Sequence, residues 1–244
     1  MIILRDEKRI ARLSLLAKVA SYGGMAILLV GLALAFVTTD FERVFVYQLI
    51  ALLIGWIGSQ IGIYLMMRYG RSPRPDEVLD EAVRRVAKNS RMYHYLLPAP
   101  HTLLTPQGVI VFNPRPNTGK ISVNGDKWQQ AGGFLRRLFG QEPIGNPTQE
   151  IERMVEGLAN FIRKNAPEVE EVPVGAIIVF TAKGGADFDL KNSRIPAMHY
   201  TKVKGFMRQQ KRDPLSKEVY EAIQRAFDEQ AKHVTEAVYE GDST

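Results

Sequence analysis

The spacing of polar and apolar positions divides the chain into two parts. Val19–Val37 and Val44–Met67 are runs of 19 and 24 residues without a charge. At about 1.5 Å per residue, each is long enough to cross a hydrocarbon core of about 30 Å. Only Thr38–Arg43 separates them, which predicts an antiparallel hairpin with both outer ends on one side. Met1–Lys18 alternates charges with Ile10, Leu13, Leu15 and Leu16, so residues 1–18 are expected to form an amphipathic helix leading into the first span. A signal peptide is the competing reading of the first run, but the run is longer than an h-region and a second span follows at once.

Beyond a basic linker, 68–75, the pattern becomes that of a folded domain over 76–235. Val78, Leu79, Ala82, Val83, Val86 and Ala87 mark one face of a helix starting near Asp76, with Glu77, Asp80 and Glu81 on its solvated side. Tyr93–Leu97 and Thr102–Leu104 read as short strands, and Thr105-Pro106-Gln107-Gly108 as a tight turn. Val109–Phe112 follows as a buried central strand, which Pro114 and Pro116 should end. Lys120–Val123 is a further strand, and Asn124-Gly125 is a strong hairpin signal. A short helix is expected over Ala131–Phe139, and a longer one is capped by Asn146 with Pro147 in its first position. Ala176–Phe180 reads as a buried strand, Ile195–Val203 as a last strand, Ser216–His233 as a final helix and 236–244 as a frayed acidic tail. These elements predict an α/β domain, a mixed central sheet flanked by helices, preceded by a transmembrane α-helical hairpin.

Charge refines this division. The formal net charge is +6: +3 on Met1–Lys18, −1 on Thr38–Arg43, +3 on Arg68–Arg74 and +1 from Pro75 onward. The basic excess flanks the apolar runs, so it argues for orientation more than for nucleic-acid binding. By the positive-inside bias, both termini and the domain lie in the cytoplasm. No ionisable residue stands inside either run, which argues against a transporter. Gly58 and Gly62 form a G-x-x-x-G that could pack the hairpin or pair two copies of the chain.

There is no cysteine, which excludes disulfides, thiolate metal sites and thiol nucleophiles. His94, His101, His199 and His233 show no zinc-site spacing. Phosphate-binding glycine loops and a nucleophile elbow are also missing from the sequence.

Pro100–Trp128, PHTLLTPQGVIVFNPRPNTGKISVNGDKW, places two apolar strands around a Pro- and Gly-containing turn, followed by Gly119-Lys120-Ile121, a small turn and Trp128. In this order it resembles the nuclease-related domain (NERD) family. The resemblance covers roughly Pro75–His233 and implies a restriction-endonuclease-like fold. In that pattern an Asp precedes the first strand and a Glu-x-Lys closes the second. The two carboxylates hold one or two divalent metals, and the lysine orients the nucleophile or offsets charge. The matching positions here are Pro100, Asn113 and Arg115. Proline offers no ligand, asparagine only a neutral oxygen, and arginine cannot act as a base.

The resemblance therefore implies a membrane-anchored, catalytically inactive domain that binds nucleic acid, a nucleotide or a protein, with Asn113, Arg115, Lys120 and Lys127 as candidate contacts and no cofactor. An alternative is a nuclease whose Mg2+ or Mn2+ is held by relocated acids such as Glu81 and Asp126. A third is a homo-oligomer formed in the bilayer through Gly58 and Gly62, with the soluble domain as a spacer.

Overall fold

Neighbouring strand residues point to opposite faces of a sheet, and in this chain both members of many such pairs are apolar and buried: Ile3 and Leu4, Met92 and Tyr93, Leu103 and Leu104, Ile177 and Ile178. Such a sheet needs cover on both sides. The computed structural model describes residues 1–37, 41–132, 143–171, 173–184, 186–210, 213–234 and 236–238. It divides into two units, one of Met1–Asp6 with Pro75–Gly133 and Pro143–Thr244, the other containing Glu7–Arg74.

The strands of the first unit are β1 (Ile2–Arg5), β2 (Arg91–His94), β3 (His101–Thr105), β4 (Gly108–Arg115), β5 (Gly119–Gly125), β6 (Lys127–Gln130), β7 (Val174–Phe180), β8 (Ala186–Ser193), β9 (Ala197–His199) and β10 (Glu236–Val238). Its helices are α3 (Pro75–Val83), α4 (Pro147–Asn165), α5 (Tyr200–Gln209) and α6 (Lys217–Ala231). Among the described residues, seven strands form one mixed sheet in the order β10-β1-β2-β3-β4-β7-β9, and β6-β5-β8 form a second. Strand β3 is antiparallel to both neighbours, whereas β4 runs parallel to β7. Leu79, Val83 and Val203, from α3 and α5, cover the face of Ile3, Met92 and Phe112. Ile151, Leu158, Ile223 and Phe227, from α4 and α6, cover the face of Leu4, Tyr93 and Val111.

Local signals placed several of these elements as expected. The Asn146 side chain accepts from the Gln149 N–H at the start of α4, and Ser216 caps α6 in the same way. Gly125 sits at φ +61 in the β5–β6 hairpin. Gly108, at φ +131, lets β4 approach β7 so closely that a Cβ would lie 2.6 Å from the Pro173 carbonyl oxygen.

Four expectations require correction. Residues 1–18 are not one helical lead-in: Ile2–Arg5 is a strand between β10 and β2, and a helix begins only at Glu7. Its apolar Ile3 and Leu4 gain more by closing the sheet than by lying along a helix. Pro114 does not end β4, because the strand continues to Arg115 with Pro114 opposite Val179. Ile195–Val203 splits into β9 and the first turn of α5, whose Val203, Phe206 and Met207 recur at helical spacing toward the sheet. Glu236–Val238 of the acidic tail pairs antiparallel with β1. Ala186–Ser193, to which the sequence reading assigns no element, forms β8, and the helix expected over Ala131–Phe139 lies largely outside the described residues.

In the second unit, α1 (Glu7–Val37) and α2 (Phe41–Leu65) are followed by a π-helical turn at Met66–Gly70. Both long helices are long and apolar enough to cross a membrane. Leu29, Leu32, Phe36, Leu52 and Trp56 are exposed along them. The interface between α1 and α2 is built on small residues: a Cβ on Gly24 would stand 2.8 Å from the Ser59 nitrogen, and one on Gly62 would stand 2.6 Å from the Ser21 nitrogen. Gly58 is less constrained, since its Cβ would meet the Gly24 Cα at 3.5 Å, an ordinary contact.

Candidate functional site

The register puts Arg5 beside His94, His94 beside His101, and Asn113 and Arg115 beside Ile178 and Phe180. These residues therefore share one end of the seven-stranded sheet, the carboxyl end of its parallel strands, where α/β proteins commonly place their chemistry.

Pro100 immediately precedes β3, and Asn113 and Arg115 lie two residues apart near the end of β4. Both β4 side chains are only 3 % exposed. Asn113 Nδ2 donates to the Pro147 carbonyl at 3.2 Å. The Arg115 guanidinium donates to the Ile144 carbonyl and to Glu150 Oε1, each at 2.8 Å. The Arg115 carbonyl accepts from the Thr181 N–H at 2.9 Å. Trp128 Nε1 donates to Thr148 Oγ1 at 2.8 Å and pins the same segment from the second sheet. The polar groups at the end of β4 thus hold the first turn of α4 and the irregular segment leading into it. A divalent cation does not fit these residues, because proline has no donor, the asparagine amide faces a carbonyl and the third group is itself a cation.

The other candidates are dispersed. Lys120 and Lys127 are exposed on β5 and β6. Asp126 accepts from Arg194 Nε at 2.9 Å, and Arg194 also reaches Glu152 at 2.6 Å. Glu81 is exposed on α3. Among the described residues, no group of three or more His, Cys, Asp or Glu side chains is placed to hold a metal ion.

At the same sheet end lies a polar cluster that sequence reasoning missed. Arg5 Nε stands 2.8 Å from Asp76 Oδ2, and Asp76 is 0 % exposed. The other side of the guanidinium meets Asp80. Asp80 Oδ1 lies 2.9 Å from His94 Nε2, and His94 Nδ1 lies 2.9 Å from His101 Nδ1. Two ring nitrogens at that distance share one proton, so one donates and the other accepts, while His94 Nε2–H donates to the carboxylate. The Tyr95 ring packs edge-on against His101 at 4.8 Å. Its backbone is held at φ +63 by an N–H donated to the Pro100 carbonyl at 2.7 Å, a left-handed conformation costing about 1 kcal/mol or more for a residue with a side chain. The chain resembles a proton relay in composition. With His94 and His101 both buried, it serves as a tie between β1, α3, β2 and β3. The available signals were Asp76 and Asp80 four apart on one helix, and two histidines flanking Pro98-Ala99-Pro100. Neither signal pointed to Arg5.

On the opposite face of the sheet, Tyr93 donates to Asp228 Oδ1 at 2.7 Å, and Arg91 reaches the same oxygen at 2.9 Å. Burial, and then the hydrogen bond to the Asp228 carboxylate, push the Tyr93 phenol far above its ordinary value.

Comparison of the chain with protein-family models, with curated proteins and with solved structures finds no match.

Proposed function

We propose that this chain is a membrane-anchored, nuclease-like domain that has lost catalysis and serves as a cytoplasmic binding or scaffold module. The observation that carries this reading is the use made of the β4 end. Asn113 and Arg115 are buried and occupied with the Ile144–Glu150 segment, and no carboxylate stands at either of the positions that the NERD resemblance assigns to metal ligands. Burial also removes these two as direct contacts for a partner. Lys120 and Lys127, exposed on the smaller sheet, remain the candidates for contact with a phosphate-bearing or acidic partner. The anchor reading draws support from β1: residues preceding α1 and residues following α2 pair in one sheet, which requires an even number of crossings between them. The flanking basic residues favour the cytoplasmic side.

The test uses full-length protein in nanodiscs, incubated with single- and double-stranded DNA and RNA plus Mg2+ or Mn2+. No metal-dependent cleavage is expected. Cleavage that disappears in Glu81→Ala or Asp126→Ala would establish a nuclease with relocated ligands and end this reading. A reporter fused after Thr244 should respond only on the cytoplasmic side.

A further inference from the structure

The opposite end of the sheet holds a cleft of about 530 Å³, within the range of about 300–1,000 Å³ usual for small-molecule sites. The β3–β4 turn, the start of β7, the residues after α3 and the last turn of α5 enclose it. Ile110, Ile177, Phe206 and Met207, all on the α3 and α5 face of the sheet, give it an apolar floor. Arg85, Lys88 and Arg208 also line it, and among the described residues no Asp or Glu does. None of these three exposed cations has an ion pair or hydrogen bond within the described residues.

Basic residues after a helix complement its dipole, and α3 and α5 both end here. Each helix end carries about half a negative charge, so two ends supply about one against three full positive charges. The cleft keeps a positive excess that the helix ends do not consume. Nor do helix ends account for an open apolar floor beneath the cations. A nucleotide is the weaker fit, because base stacking draws on aromatic faces and Phe206 is the one aromatic among the described lining residues.

We propose that this cleft binds a single-chain amphiphile with an anionic head, its tail along Ile110, Ile177 and Met207 and its head at Arg85, Lys88 and Arg208. Association would gain from burying the tail and from charge attraction together. The site is distinct from the β4 end and does not depend on whether that end is catalytic.

The probe is a sixteen-carbon carboxylate carrying a diazirine in its tail, photolysed with the full chain in nanodiscs of zwitterionic lipid and mapped by peptide mass spectrometry. Label is expected on peptides covering 105–110, 175–177 and 206–210. Gly175→Leu, opposite Ile110 in the β4–β7 register and so on the cleft face, should lower it about tenfold, as should Lys88→Glu combined with Arg208→Glu, which alters exposed side chains only; tenfold corresponds to about 1.4 kcal/mol. Unlabelled hexadecanoate should compete. Label confined to residues 19–67 would overturn the proposal. Equal labelling by the same chain with a trimethylammonium head would do the same, as would competition by ATP or an acidic peptide in place of hexadecanoate.

Discussion

The two ends of the seven-stranded sheet solve opposite problems. At one end, Asp76, His94, His101, Asn113 and Arg115 are polar and buried, Arg5 is half-buried beside them, and they bond to one another or to neighbouring protein groups. At the other, apolar side chains line an open cleft, and the cations around it have no protein partner among the described residues. Buried polar groups with all their partners inside the protein rigidify a fold and leave little to offer a ligand. An open apolar cavity ringed by unneutralised charge contributes little to the fold and keeps its binding capacity. The resemblance to a nuclease directs attention to the first end, whereas the chemistry still available to a ligand lies at the second.

This contrast can be broken experimentally, and the largest effect should come from β1. Deleting residues 1–6 exposes the edge of β2 and leaves Asp76 and Asp80 without Arg5, so the domain should show no cooperative unfolding transition. A chain in which a short Gly/Ser linker replaces residues 7–74 should fold, because Arg5 and Asp76 already meet. Cooperative unfolding of the fragment 75–244 alone would refute the role given to β1.

Next comes Arg5→Leu, which leaves Asp76 and Asp80 without the cation they share and should cost about 3–5 kcal/mol in urea denaturation. Adding Asp76→Asn and Asp80→Asn should recover much of that loss. Arg115→Met removes a donor from the Ile144 carbonyl and frees Glu150, which can hydrate. A cost of about 1–3 kcal/mol is expected, with faster amide exchange confined to the first turn of α4.

The Tyr93 prediction concerns pH. Its phenol, like that of Tyr220, is held neutral by burial above its ordinary value. The raised value favours the protonated form in the native state, so this contribution to stability is complete below about pH 10, where an unfolded tyrosine titrates, and declines above it. The urea midpoint should fall between about pH 10 and 12, and Tyr93→Phe should flatten that slope. The smallest effect belongs to the open end: Lys88→Gln should change stability by less than about 0.5 kcal/mol, while reducing labelling in the cleft.

Elements whose signals are local were legible in the sequence. The Asn146 cap, the start of the final helix near Ser216, the Asn124-Gly125 hairpin and the wholly apolar Ala176–Phe180 each depend on residues within a few positions of one another. Strand β8 also had a local signal, Phe188 and Leu190 alternating with Asp187, Asp189 and Lys191, but the polar residues dominated its composition. What could not be read was pairing across distance. Leu4 lies opposite Tyr93 with two charge-free runs between them in the chain, and the nearby charges matched an amphipathic lead-in equally well. The site followed the same rule. The sequence placed Asn113 and Arg115 correctly at a strand end, yet their burial depends on Ile144 and Pro147, whose position no spacing revealed.

The place of β1 between β10 and β2 also orders events during synthesis. Ile2–Arg5 leaves the ribosome before its partners Arg91–His94 and Glu236–Val238, which are made only after both apolar helices. Chain growth at about 5–20 residues per second leaves this strand waiting through the whole interval. Delivery of the apolar hairpin to its destination can therefore be complete before the sheet closes, and a nascent chain arrested before residue 91 would display an unpaired strand to whatever chaperone is at hand.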